Sequence, residues 1–389
     1  GVTLGDVVIQ AETVTNTSGS TVMIGGDSLS GEVNDFAAFP DFGCPYLDQN
    51  TLVITLPAGQ SCNIDYFFNP GALGGRSATI TLLDNSVPGN PLASTSVSGT
   101  GTIGYYQVSS TGKVAHFGDA LFYGDASQTP LSHPVEGITQ TGDDGGYWLV
   151  ANDGGVFNYG DAGFFGSAGG IRLNKPIVGM AASPDSMGYW LVATDGGIFN
   201  YGDAQFFGST GSIRLNRPIV GMAATNSGNG YWLVASDGGI FSYGDARFYG
   251  STGSIHLNQP IVGMAATPDD GGYWLVASDG GIFAYGDAQF FGSTGAIHLA
   301  QPIVGMAAMP DGSGYWFTAA DGGLFNYGAP FYGAANSQSL SNVVGMATDG
   351  APTAQAISGV PAIRHALTGN GNQSDWTSQD RTAPRFAGR

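Results

Sequence analysis

Gly272–Asp311 reads GYWLVASDGGIFAYGDAQFFGSTGAIHLAQPIVGMAAMPD. Lightly edited, this stretch recurs along the chain. Its GYW start stands at Gly146, Gly188, Gly230, Gly272 and Gly314, each 42 residues after the last, and a weaker copy opens 42 residues earlier at Gly104-Tyr105-Tyr106. Six copies at one spacing mark a repeat architecture, in which each unit buries its apolar face against its neighbours. Each copy holds four short apolar runs, in this one Tyr273–Ala277, Gly281–Tyr285, Gln289–Phe291 and Ile303–Ala307. Asp279-Gly280-Gly281 separates the first two and is a tight-turn signal, because such turns need positive φ. Runs of about five residues rich in Val, Ile, Tyr, Phe and Trp read as strands. Their apolar content is nearly continuous, which predicts sheets covered on both faces.

Four strands in 40–45 residues is the size of a β-propeller blade. Val304-Gly305-Met306-Ala307-Ala308 has the smallest side chains, so it is expected innermost, where blades converge. The Phe290-Phe291 run is expected outermost, as a fourth strand. The first copy starts at a second-strand segment, Tyr105–Ser109, and the last is followed by an extra inner-type run, Val343-Val344-Gly345-Met346-Ala347. That run is expected to complete the first blade and close a ring of six; a seventh blade or an open solenoid are the alternatives.

The 389 residues suffice for two or three domains. Glycine supplies 65 of them without a Gly-X-Y period, so the excess reflects turns. Net charge is −19, with 30 acidic residues against 11 basic ones. Such a surface repels phosphate backbones and argues against nucleic acid or an anionic membrane as partner. No apolar run is long enough to span a bilayer, and Gly1 reads as a processed or trimmed start. No cofactor motif appears.

Residues 1–103 lack the period. Val7–Gln10, Thr21–Ile24, Leu52–Leu56, Asn63–Phe68, Ala78–Leu83 and Ala93–Val97 are strand-like, broken by turns such as Pro57-Ala58-Gly59, a rhythm that suits a β-sandwich. The two cysteines, Cys44 and Cys62, are too few for a zinc site and read as a disulfide, implying an oxidising, extracellular compartment. Asn16-Thr17-Ser18 and Asn372-Gln373-Ser374 match the glycosylation sequon.

Two resemblances add to this. Leu56-Pro57-Ala58-Gly59-Gln60-Ser61-Cys62, Phe67-Phe68-Asn69-Pro70, Gly75-Arg76-Ser77-Ala78-Thr79-Ile80 and Val97-Ser98-Gly99-Thr100-Gly101 resemble the Ig-like modules of the abnormal-spindle/Hydin type. That likeness implies a spacer or interaction domain, and its usual cysteine in each of two facing segments agrees with a Cys44–Cys62 pair. The repeats, with their YW…DGG…F.YGDA.F.G pattern, resemble a propeller-type repeat of secreted actinobacterial proteins, which implies extracellular placement and names no ligand. Ser278-Asp279-Gly280-Gly281 lacks the spacing of the Asp-box of sialidase-type propellers, so no glycosidase is implied. The expected fold is therefore all-β, an Ig-like β-sandwich over 1–103 followed by a six-bladed β-propeller over 104–349.

Several repeated residues have a functional and a structural reading. Trp148, Trp190, Trp232, Trp274 and Trp316 are candidate sugar-stacking platforms, but a Trp within a strand is more simply packing. Asp153, Asp195, Asp237, Asp279 and Asp321, and Asp161, Asp203, Asp245 and Asp287, are candidate calcium ligands. Asp beside Gly is more simply a turn former, and the dense oxygen spacing of a calcium loop is absent. Arg172, Arg214, His256 and His298 occupy one equivalent position in the loop leading to the inner strand. They are the candidate binding residues, for anionic sugars or an acidic partner. His116 and Glu136 each break the repeat and form a conceivable acid–base pair, yet no nucleophile elbow, phosphate loop or metal-binding His pair accompanies them.

Residues 350–389 turn Ala/Ser/Thr/Gly-rich, with Arg364, Arg381, Arg385 and Arg389. They read either as a disordered, weakly basic tail or linker or as a segment that docks on a partner subunit, with Trp376 as an anchor. Nearly every polar feature is copied, whereas catalysis needs a singular constellation. The expected function is a non-catalytic extracellular protein that assembles with copies of itself or with surface proteins. A lectin-like propeller binding saccharides is the first alternative and a cell-wall polymer hydrolase the last.

Overall fold

The computed structural model describes residues 8–31, 35–41, 43–68, 74–87, 89–349, 353–355 and 376–377. Strands arranged in small antiparallel sheets dominate it. The chain divides into two compact units, Ile103–Ala351 and a second made of Gly1–Thr102 with Pro352–Arg389.

The N-terminal unit holds β1 (Val8–Thr15), β2 (Val22–Gly31), β3 (Phe36–Pro40), β4 (Leu47–Asp48), β5 (Val53–Leu56), β6 (Ser61–Phe68), β7 (Gly74–Asp84) and β8 (Asn90–Thr102). One sheet has the order β1-β6-β3 and the other β8-β7-β2-β5-β4. In β6 exposure alternates with period two, so Cys62, Ile64, Tyr66 and Phe68 point into one core with Ile24, Ile54, Leu56, Ile80 and Val97. A disulfide joins Cys44 to Cys62, both buried in that core. Two short C-terminal pieces extend the sheets: Thr353–Gln355 pairs with β8 and Trp376–Thr377 with β1. Arg364, Arg381, Arg385 and Arg389 lie outside the described residues.

The repeats form six three-stranded sheets. In five of them an inner strand such as Ile261–Ala266 pairs with a middle strand, Gly272–Ala277, and that with a third, Ile282–Gly286. The remaining sheet joins the ends of the unit: β9 (Tyr105–Ser109) pairs with β10 (Val114–Phe117) and, on its other edge, with Val343–Thr348. The extra inner-type run does complete the first sheet. All six residues of each GYWLVA strand are buried, as expected of strands covered on both faces.

Inner strands lie against one another from sheet to sheet, and Val343–Thr348 lies against Val135–Gln140. Their glycines face one another: a Cβ on Gly305 would stand 3.5 Å from Gly345 Cα, and one on Gly345 would stand 3.6 Å from Gly137 Cα. Each inner strand is bulged at one equivalent place, beside Val178, Val220, Val262, Val304, Val344 and, in the first, Glu136.

Backbone hydrogen bonds tie sheet to sheet. Thr194 N–H donates to Pro176 O and Ile219 N–H to Thr194 O; Ser236, Ser278, Ala320 and Asn152 repeat the pattern at 2.8–3.0 Å. The series runs on through Ser110 N–H to Asn342 O and Val135 N–H to Ser110 O, both 2.9 Å, and so returns to the first sheet.

The expected fourth strand does not form. Phe290-Phe291 and its equivalents are irregular, because side chains take the backbone groups that a ladder would use. Trp274 Nε1–H donates to Gln289 O at 2.6 Å. The Tyr315 hydroxyl, from the next copy, accepts from Phe291 N–H and Gly292 N–H and donates to Gly292 O. Gly292 sits at φ +142°, which a ladder residue does not adopt.

Candidate functional site

The repeats place their chemistry at two ends. One end carries the Asp-Gly-Gly turns and the loops that lead to the inner strands; the other carries the inner-to-middle turns and the Gly-Asp turns after the third strands. Thr210 shows how the first set is held. It is fully buried in its loop, its N–H donates to Gly196 O and its hydroxyl to Asp195 O, which seats the loop on the Asp-Gly-Gly turn. Thr252 and Thr294 do the same.

Such seating lifts the following residues into solvent. Arg172, Arg214, His256 and His298 are all exposed. Each follows an isoleucine that is itself 54–57% exposed: Ile171, Ile213, Ile255 and Ile297. Lys175 and Arg217 stand three residues further on, also exposed. With Lys113, in the first sheet's equivalent of the Asp-Gly-Gly turn, every Lys and Arg of the repeat unit except Arg247 lies at this end. Asp153, Asp195, Asp237, Asp279 and Asp321 lie here too. Each uses Oδ1 to accept from the Gly N–H two residues on, at 2.9–3.0 Å, as turn formers do. His133 Nδ1 lies 3.0 Å from the other oxygen of Asp153.

Carboxylates dominate the charge of the opposite end, where the one cation is Arg247, exposed two residues after Asp245. Asp143, Asp185, Asp269 and Asp311 tip the inner-to-middle turns, while Asp161, Asp203, Asp245 and Asp287 fill the Gly-Asp turns. A hydroxyl bridges one such pair, Thr267 donating to Asp269 at 3.0 Å and to Asp287 at 3.1 Å, and Thr225, whose turn lacks an aspartate, donates to Asp245 at 2.9 Å. Burial and then the neighbouring Asp143 raise the pKa of Asp161. Where the first sheet meets the last strand, Asp349 replaces the hydroxyl residue. It is 2% exposed, and Gly104 N–H donates to its carboxyl, 2.7 Å from either oxygen. Burial first and the Asp119 carboxyl second push it up to about 9, so Asp349 keeps its proton at neutral pH.

The remaining candidates resolve into structural roles. The five tryptophans are at most 1% exposed. Each donates its indole N–H to a carbonyl of its own outer segment. Each also packs on a tyrosine of the next copy, Trp232 on Tyr273 at 5.9 Å and Trp316 on Tyr105 at 5.4 Å between ring centres. They are packing residues and offer no stacking face. His116 and Glu136 are not brought together. His116 bonds Ala120 O through Nδ1 at 2.9 Å, as Asn158 bonds Ala162 O. Glu136, at its bulge, accepts from Asn152 at 3.3 Å, and burial raises its pKa. The Asn16 sequon is closed to modification: the residue is fully buried, its amide N–H groups donate to Ser20 O and Leu56 O, and its oxygen accepts from Ser18. Asn372 lies outside the described residues, and Trp376 is placed at the edge of β1.

Reading one recurring position at a time hid the segregation of charge. Lys113, Lys175 and Arg217 become part of the pattern when every charged residue is sorted by its end of the repeat. No helix among the described residues is long and apolar enough to cross a membrane. No family model matches the chain, and a search of curated proteins finds no match.

Proposed function

We propose that the chain is a non-catalytic extracellular structural protein, an Ig-like module joined to a closed six-bladed β-propeller, that serves as a subunit of a larger surface assembly. The observation that carries the reading is how the repeats spend their polar groups. Tyrosine hydroxyls, indole N–H groups, turn aspartates and strand-end amides are consumed in joining sheet to sheet, and what remains exposed is copied around the unit. Closure is supported by the hydrogen-bond series that returns through Ser110 to Val135. The extracellular placement is supported by the Cys44–Cys62 bond. Light scattering of the intact chain over a concentration series tests the assembly reading. Species heavier than the 39.8 kDa monomer are expected, together with ordered particles in micrographs; a monomer at every concentration defeats it.

A second reading, a lectin-like propeller, is favoured by the exposure of Arg172, Arg214, His256 and His298 at one equivalent position. A glycan array decides it. Multivalent sugar binding that disappears in R214A/H256A supports the lectin, and an array without signal removes it.

A further inference from the structure

The two ends of the repeat unit differ in charge far more than the chain's composition requires. Five of its six Lys and Arg residues (Lys113, Arg172, Lys175, Arg214 and Arg217) stand at the end with the Asp-Gly-Gly turns. The opposite end holds aspartates and, beside Asp245, the single remaining cation, Arg247. Turn formation does not require this split. Asp satisfies the turns at both ends, while the Arg and Lys side chains of the loops make no hydrogen bond or ion pair among the described residues. Their isoleucine neighbours, more than half exposed, add apolar contact beside the cations, a combination suited to a protein interface. The chain also enters and leaves the unit at the acidic end, through Gly104 and Asp349.

We propose that the loops bearing Arg172, Lys175, Arg214 and Arg217, with Ile171 and Ile213, dock on the acidic end of the repeat unit of a second copy of this chain. The proposal rests on the assembly reading above and specifies its contact. An acidic end is the surface on the page whose charge complements these loops, and each copy carries one of each kind. Such a contact joins two different surfaces, so it is heterologous and propagates in a row unless something caps it. Electrostatic complementarity would set its direction and suppress pairing of like ends, and raising salt would weaken it as the screening length shrinks to about 3 Å near 1 M.

The test uses the full chain and R172E/K175E/R214E/R217E, whose altered side chains are exposed and support no fold contact. The variant alone is expected to lose the heavier species seen with wild type. Its acidic end is intact, so added below one equivalent it is expected to cap wild-type rows and shorten them. D143N/D185N/D269N/D311N keeps the turn acceptors and caps from the other end. Assembly of the first variant at wild-type mass, or wild-type rows of unchanged length in the presence of both variants, overturns the proposal. So does a variant that loses only binding to a polyuronate, because the loops would then serve a glycan. A wild-type chain that is monomeric throughout instead removes the assembly reading itself, and the two failures are therefore distinct.

Discussion

Five junctions in the repeat unit join sheets that follow one another in the chain, and one joins its two ends. At the ordinary junctions a Leu in the middle strand, such as Leu233, or in the last copy Phe317, faces apolar neighbours. At the closing junction Gln107 stands in its place, fully buried. It donates to Thr318 Oγ1 at 2.5 Å and to Gly322 O at 3.3 Å, and it accepts from Ala335 N–H at 2.7 Å. A hydroxyl facing a carboxylate, as in Thr267 with Asp287, becomes the carboxyl pair Asp349 with Asp119. Yet the tyrosine latch is kept: the Tyr105 hydroxyl accepts from Tyr332 N–H and donates to Gly333 O. Where the chain itself holds neighbours together, apolar contact is enough. Where it does not, directional buried polar groups specify which edge meets which, because leaving them unpaired is costly.

The equivalence of the junctions is open to direct attack. The largest effect is expected from the tryptophans. W232A, at an ordinary junction, and W316A, against Tyr105 at the closing one, should each cost about 3–5 kcal/mol in denaturant unfolding. A W316A that is much cheaper than W232A would mean that the ends of the unit part before the rest unfolds.

A smaller loss is expected from removing one hydroxyl. Y231F leaves Phe207 N–H, Gly208 N–H and Gly208 O without their partner, and Y105F does the same to Tyr332 and Gly333. Each should lower stability by about 1–3 kcal/mol. A negligible loss in both would refute the account of why the outer run is not a strand.

An effect of opposite sign is expected at Asp349. Its folded pKa, about 9, lies above the ordinary 3.8, so the folded state binds the proton more tightly. This contribution is complete below pH 4 and is lost as pH rises toward 9. Asn mimics the protonated carboxyl, so D349N should stabilise the unit at pH 8 and leave it unchanged near pH 4. A D349N that destabilises at pH 8 would place an ionised carboxylate there.

Much of this architecture was legible in the repeat itself. Fixed spacing identifies the copies, turn glycines mark strand ends, and the unmatched Val343–Thr348 run announces its pairing with β9 because no other inner position is left unfilled. The N-terminal unit was legible only in part. Phe36–Pro40 and Leu47–Asp48 are strands that no pattern flagged, since their pairing to β6 and β5 supplies what their composition lacks. The outer Phe-Phe run misled in the opposite direction. Its residues suit a strand, but the partners of its backbone belong to Trp and Tyr side chains. Arg172, Arg214, His256 and His298 were visible as a set, whereas the company they keep at one end was not.

The sequence by itself determined the period, the strand content, the identity of the packing aromatics and the run that joins the two ends, because these follow from local turn chemistry and from apolar spacing. Only the tertiary structure decided which backbone groups the tyrosines capture, which sequon is sealed, and how charge divides between the two ends. Those depend on residues brought together from different copies, and spacing along the chain does not encode such distances.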